Sequence, residues 1–308
     1  MHFTLRQLQV FVAIAKQESV SRAAECLSLS QSAASTSLAE LERQSDCRLF
    51  DRAGKRLSLN ALGRQLLPQA VALLDQAKAI EELLGGRSGF GSLDVGATLT
   101  VGNYLATLLI GGFMQRHPEC RVKLHVHNTA HIVHQVAHHE LDLGLIEGDW
   151  QHHDIEVHPW VPDELAVFCA PNHPLAGRGE VSVDELAREA WILRERGSGT
   201  RLTFDQAMRH HPNTLNIRLE LEHTEAIKRA VESGLGISCI SRLALRDAFR
   251  RGSLVQIQTP ELDLRRQFYF IWHRLKYQTA AMRDFIDQCR AFTAGVRRSD
   301  EIVLPPIA

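Results

Sequence analysis

Residues 21–41 read SRAAECLSLSQSAASTSLAEL, and the fold of the N-terminal module turns on them. Ala23, Ala24 and Leu27 recur at helical spacing; after a break, Ala33, Ala34, Leu38 and Leu41 do so again. Ser30 is placed to cap the second helix, because its hydroxyl can accept a bond from an orphan amide of the opening turn. Small alanines at the packing positions let two helices cross closely, as a helix-turn-helix requires. The second helix then presents Gln31, Ser32, Ser35 and Thr36 near its N-terminus. Such short polar side chains reach base edges and phosphates when the helix lies in a major groove. Arg22, on the first helix, joins them as a DNA-contact candidate. An alanine-rich hairpin with a solvated polar face would read the same way, so the flanks must decide.

Upstream, Leu5, Leu8, Phe11, Val12 and Ala15 form an amphipathic helix that can floor the motif. Downstream, Leu49 and Phe50, then Leu57 and Leu59, flank a glycine-containing turn. This predicts a short hairpin, or wing, with Arg52, Lys55 and Arg56 at its tip to meet phosphates or a minor groove. From Asn60, a plausible N-cap, a long helix runs to Leu84. Leu66, Ala70, Leu73, Ala77, Ile80 and Leu84 follow the spacing of a coiled-coil seam, which a lone helix would leave exposed. A homodimer is therefore expected, matching two-fold DNA half-sites. Pro68 should bend this helix near its start. Gly85 to Gly91, rich in glycine, reads as a hinge.

The formal net charge of −1 gives no global case for nucleic acid, so any basic surface must be local. Six cysteines are scattered without a CxxC pair, which argues against a disulfide or zinc framework. No run has the apolar length of a membrane span or signal peptide, and a cytoplasmic location is expected.

Beyond the hinge, short apolar strands alternate with helices, the pattern of an α/β domain with largely parallel sheets. Strands are predicted at 93–97, 122–126, 141–146, 165–170, 191–193, 219–221, 237–240 and 268–272. Helices are predicted at 102–116, 129–138, 202–210, 225–232, 242–250 and 279–292. Ligands in such folds sit outside the carboxyl ends of strands. Thr98, Thr100 and Asn103 follow the first strand, Thr129 the second, and Glu147 the third. Ser198, Thr200 and Arg201 follow the strand at Trp191, and Thr224 opens another helix. Hydroxyls and amides with little formal charge suit a small oxyanion or carboxylate.

Two rival chemistries are weaker. His131, His134 and His138 share a helical face and would carry a metal-sensing alternative, but no cysteine or carboxylate completes the set. A solvated helix face is the simpler reading, and no metal site is assigned. For an enzyme, GxSxG, a P-loop and HExxH are all missing, and Gly234-Leu-Gly lacks the rest of a dinucleotide fingerprint. No catalytic residue and no cofactor is assigned. An anion-binding protein without regulatory output stays open on these residues.

Leu5-Arg-Gln-Leu, Ser21-Arg-Ala-Ala, Ser30-Gln, Leu41-Glu, Arg48-Leu-Phe-Asp-Arg and Leu62-Gly together resemble the N-terminal domain of LysR-type transcriptional regulators. Leu141-Asp-Leu-Gly-Leu-Ile-Glu-Gly, His173-Pro-Leu and Ser233-Gly-Leu-Gly-Ile resemble that family's effector domain. The resemblance implies an α/β chain in three parts. These are a winged helix-turn-helix (1–60), a dimerisation helix and hinge (61–88), and a two-lobed, periplasmic-binding-protein-like effector domain (89–308). Lobe I takes 89–161 and 267–300, and lobe II takes 162–266. It implies promoter DNA, a small effector and self-association to a dimer or tetramer, with RNA polymerase as a further partner. Position 32 is Ser where the family usually has Pro, and Ser35-Thr36-Ser37 lacks the family's common basic residue. The Gly96-Ala-Thr-Leu-Thr-Val-Gly-Asn-Tyr-Leu segment resembles the branch of sulfur-assimilation and carbon-fixation regulators. That branch points to sulfite, sulfate or a small carboxylate as the effector.

Overall fold

The computed structural model describes residues 2–53, 56–85, 90–211 and 215–303. Its head is built from α1 (Leu5–Gln17), α2 (Val20–Cys26), α3 (Gln31–Gln44), β1 (Phe50–Ala53) and β2 (Arg56–Leu59), followed by the long helix α4 (Ala61–Leu84). Each helix starts where a side chain meets its orphan amides. Thr4 and Gln7 form a capping box on α1, Ser19 caps α2, and Ser30 accepts the Ala33 amide at 3.1 Å. The turn between α2 and α3 passes through Ser28 at φ 54°, a left-handed position that a short polar residue tolerates. Phe11, Ala23, Ala24, Ala34, Leu38, Leu41 and Leu49 fill the core beneath these helices. Ala33 and Leu5 depart from the expected packing faces: both are exposed, because α3 and α1 turn them away from that core.

The β1–β2 hairpin pairs Phe50 with Leu59 and Ala53 with Arg56, which places the wing where the sequence put it. Lys55 and the side chains of Arg52 and Arg56 lie outside the described residues, as do 86–89 of the expected hinge. Asn60 caps α4 by accepting the Gly63 amide at 2.8 Å, and its own amide donates to the Arg48 carbonyl. Gly63 sits so close to the head that a Cβ there would lie 2.2 Å from the Leu49 carbonyl oxygen. α4 runs unbroken through Pro68. Its seam is divided: Ala70 is buried and Leu66 half-buried in the head's own core, whereas Leu73, Ile80 and Leu84 are exposed. The N-terminal half of this helix serves its own domain, a use that spacing alone does not distinguish from a coiled coil.

The remaining chain forms β3 (Ser92–Thr98), then α5 (Leu99–Val101), which passes through a π-turn (Gly102–Ala106) into α6 (Thr107–Arg116). Next come β4 (Arg121–His127), α7 (Thr129–Ala137), β5 (Leu143–Glu147) and the long β6 (Ile155–Cys169). Lobe II holds α8 (Val183–Ala187), β7 (Ala190–Arg194), α9 (Gly199–Met208), β8 (Asn216–Leu221), α10 (Thr224–Glu232), β9 (Ile237–Ser241), α11 (Arg242–Arg251) and β10 (Val255–Ile257). β11 (Arg265–His273), α12 (Ala280–Phe292) and a 3-10 turn (Ser299–Glu301) complete the chain.

The strand order is β4-β3-β5-β11-β6-β9-β7-β8. β3 and β7 each have two parallel neighbours, whereas β6 and β11 pair antiparallel with everything they touch. The sheets are therefore mixed rather than largely parallel. β6 pairs with β11 through its first part and with β9 and β10 through Leu165–Cys169, so it belongs to both lobes. The sequence reading found only this second part. Pro159 and Pro162 weaken a strand prediction; they are accommodated where the β6–β11 register shifts between Gln267 and Tyr269. The first effector-domain helix starts at Leu99, three residues before its predicted start at Gly102, and α9 starts at Gly199 instead of Leu202.

The head and α4 dock onto lobe I through Lys276, whose ammonium lies 2.7 Å from Asp75 of α4 and 2.6 Å from Asp142. Burial opposes that charge, yet Asp142 and Asp75 together hold the Lys276 pKa above its ordinary value.

Candidate functional site

In the head, Gln31, Ser32, Ser35 and Thr36 are all exposed along the N-terminal half of α3, and Ala33 lies among them. The Ser32 hydroxyl is 3.0 Å from that of Ser30, the cap residue. Arg43, the first basic residue of α3, is turned onto Glu40 at 2.6 Å near the far end of the helix. The exposed Arg22 donates to the Gln17 carbonyl at 2.8 Å. This face offers amide, hydroxyl and methyl groups to a groove, with cationic contacts left to its flanks.

The second site lies where β3, β5, β7 and their helices meet between the lobes. Two polar assemblies hold the lobes together there. In one, Thr200 Oγ1 donates to Glu147 Oε1 at 3.0 Å and accepts from Arg266 Nη1 at 2.9 Å. Arg266 also reaches Glu147 at 3.2 Å and Asp163 at 2.6 Å, and Ser241 donates to Asp163 at 2.7 Å. The Gly199 amide donates to Thr129 Oγ1 at 3.1 Å, while the Ala130 amide donates to the Gly197 carbonyl. In the other assembly, the Tyr104 hydroxyl donates to Glu225, and Lys228 lies 2.6 Å from Glu225 and 3.2 Å from the Tyr104 oxygen. Burial and then the Glu225 carboxylate push the Tyr104 pKa up, so it stays a phenol.

These contacts sort the expected ligand residues into two groups. Thr129, Glu147 and Thr200 are spent on holding lobe to lobe. Arg201 is not a free donor either, because it is tied to Asp205 at 2.9 Å, to Glu220 at 2.8 Å and to the Arg194 carbonyl. Thr98, Ser198 and Thr224 differ: each is at most 2% exposed, and no hydroxyl of the three has a hydrogen-bond partner. Thr98 and Ser198 occupy N-cap positions of α5 and α9 without making the cap bond. Thr100 is buried on α5, and Asn103 lines a cavity of about 440 Å³ with Leu99, Asn128, His131, His223 and two carboxylates, Glu195 and Glu222. Leu99 adjoins Thr98 and His223 adjoins Thr224. Gly197, next to Ser198, faces Asn128. His127 also lines this cavity; burial, followed by the like charges of His131 and His125, lowers its pKa.

A larger depression of about 600 Å³ on lobe II is lined by Glu164, Glu180, Glu261 and Asp263, and its Arg265 is paired with Asp263 at 2.7 Å. It suits an anion less well than the interlobe cavity, with four carboxylates against two and no imidazole. Sequence reasoning missed Arg266, Asp163 and Tyr104, since nothing local marks which charged or aromatic residue will be buried across an interface. The His131, His134 and His138 trio does not converge. His134 and His138 stack on each other at 4.0 Å, while His131 turns toward His127 at 4.3 Å.

Comparison with known proteins places both sites in context. Residues 5–64 match the bacterial regulatory helix-turn-helix proteins of the lysR family, and residues 86–294 match the LysR substrate binding domain. The chain is 43% identical over 289 residues to the HTH-type transcriptional regulator YeiE of Escherichia coli K12, covering 94% of this chain and 98% of that protein. It is 34% identical to the RuBisCO operon transcriptional regulator of Allochromatium vinosum, covering 93% and 96% respectively. Among solved structures, the regulatory domain of CcmR from Synechocystis PCC6803 in complex with 2-PG superposes with a TM-score of 0.63 at 32% identity. That match covers 67% of this chain and 99% of the other. With a capped helix-turn-helix at one end, a two-lobed domain with an interlobe cavity at the other, and both parts matched along the sequence, this chain belongs to the LysR family of transcriptional regulators.

Proposed function

We propose that the interlobe cavity takes a small anion, in the class of sulfite, sulfate or a small carboxylate, and that its occupancy modulates promoter binding or activation by the head. The observation that carries this reading is the set of three buried, unpartnered hydroxyls at Thr98, Ser198 and Thr224, which lie just behind the cavity wall, next in sequence to Leu99, Gly197 and His223. An unsatisfied buried hydroxyl costs about 1–3 kcal/mol, a cost that a bound oxygen would remove. The CcmR regulatory domain, similar to this domain, is in complex with 2-PG, which supports a small anion as the class of ligand. Glu147, Thr129, Thr200 and Arg201 act in this reading as the frame around the ligand.

Thermal unfolding against sulfate, sulfite, 2-PG and small carboxylates tests it, because a ligand preferring the folded state raises the midpoint by mass action. Thr98→Val, Ser198→Ala and Thr224→Val should leave the ligand-free midpoint unchanged or raise it, since no native bond is lost. The same variants should shrink the anion-induced shift. Undiminished shifts in all three would overturn the cleft assignment.

The head binds double-stranded promoter DNA as part of a homo-oligomer in the cytoplasm, and RNA polymerase is the natural further partner of the bound complex. Self-association is supported by Leu73, Ile80, Leu83 and Leu84, which are 38–82% exposed along α4. An apolar groove of about 210 Å³ between α4 and the head, lined by Phe3, Leu8, Leu41 and Leu73, continues that surface. No cofactor enters this reading. Since α3 brings no free arginine to the groove, cationic contacts fall to the wing. Arg52→Ala with Arg56→Ala should weaken binding across operator sequences and reduce the magnitude of the log K against log salt slope by about 2. Fluorescence anisotropy across a salt series reads this directly, and an unaltered slope would remove the wing from the interface.

A further inference from the structure

The corner of lobe I where the last turn of α7 meets the connection from β5 to β6 gathers imidazoles that the cavity does not use. His152, His153 and Asp154 each bring one potential ligand atom within 4.8 Å of the others, the one such group of three among the described residues. His153 Nε2 lies 2.8 Å from Asp154 Oδ2, and the His152 and His153 rings stack with centroids 4.7 Å apart. The turn is held in place from outside, because the Arg274 amide beyond β11 donates to the Asp154 carbonyl at 2.8 Å. The bond from the Asp154 amide to His152 Nδ1 is long, at 3.2 Å, and can give way to a metal.

α7 contributes independently. His134 stands in its last turn, ahead of the connection that carries His152. The C-terminal end of a helix carries partial negative charge and favours a cation. A donor set of imidazoles with one carboxylate fits borderline divalent ions, whereas calcium and magnesium call for oxygen ligands.

We propose that His152, His153 and Asp154 form a binding site for one divalent cation of the zinc, nickel or copper class. The site is open: the His153 side chain is 83% exposed, so the ion exchanges with solvent. It is a separate input from the anion cavity and does not depend on that reading.

The test uses the full chain without an affinity tag. Cobalt(II) absorption and calorimetric titrations with Zn²⁺ and Ni²⁺ should give about one equivalent bound, with Mg²⁺ giving none. His152→Ala with His153→Ala should weaken binding at least about tenfold, and Asp154→Asn should weaken it less. His153 is exposed and His152 and Asp154 are half-buried outside the interlobe cavity, so the sulfate response of both variants should match the parent, and a metal-free unfolding midpoint shows that each is folded. Failure of the parent to bind Zn²⁺ or Ni²⁺ saturably would overturn the proposal. So would undiminished binding by the double histidine variant, which would place the ion elsewhere on the histidine-rich face.

Discussion

Replacing Arg266 with methionine should cost about 3–5 kcal/mol of unfolding free energy, the usual penalty for stranding buried charges. The guanidinium is 2% exposed and faces two carboxylates, Glu147 and Asp163, that are 1% and 0% exposed. Methionine fills much of the same volume, so cavity formation contributes little and the loss reports the abandoned charges. Asp163 keeps Ser241 as a donor and Glu147 keeps Thr200, which soften the penalty without removing it. Urea unfolding followed by tryptophan fluorescence measures the change. Adding Glu147→Gln and Asp163→Asn to the methionine variant should recover part of the loss, since neutral side chains are cheaper to bury. A single-variant loss below about 1 kcal/mol would mean that solvent screens the network as it does a surface ion pair.

Gly199→Ala should be nearly as damaging, at the same seam between the lobes but through its backbone. A Cβ at this position would lie 2.0 Å from the Glu147 carbonyl oxygen and 2.8 Å from Thr129 Oγ1. The first obstacle is backbone of the opposite lobe and cannot rotate away. The lobes must therefore part, stretching the 3.1 Å bond from the Gly199 amide to Thr129 and the 3.0 Å bond from Thr200 to Glu147. Helix propensity alone predicts the opposite sign, a gain of about 1 kcal/mol from alanine in a helix. The expected result is a lowered unfolding midpoint and an anion affinity reduced at least about tenfold, equivalent to about 1.4 kcal/mol. DNA binding without effector should persist, because the head is untouched. A more stable protein with normal anion binding would show that the lobes meet elsewhere in solution.

These two residues mark where sequence reading stops. The helix-turn-helix was legible because its rules are local: Ser30 caps, alanines pack, and hydrophobic spacing follows the helical period. That Thr98, Ser198 and Thr224 stand at strand ends and helix starts was legible for a related reason, since short polar residues and glycines announce such positions. Their difference from Thr129, Thr200 and Arg201 was not. All but Arg201 are hydroxyl residues at the same kind of position, and only tertiary contacts decide which side chains are spent on the frame. Arg266 lies in an Arg-Arg pair that reads as surface, yet Arg265 is exposed on Asp263 and Arg266 is buried between the lobes. Alternation along β11 separates the two, but which face is inside depends on β5 and β6.

The sequence by itself determined the capped starts of α3 and α4, the wing, and the alternation of strands with helices, because each rests on periodicity or on a cap within a few residues. Only the tertiary structure decided that β6 serves both lobes, that Ala70 packs into the head, and that His152, His153 and Asp154 converge. Those outcomes depend on contacts between residues far apart in the chain, whose energies no local pattern encodes.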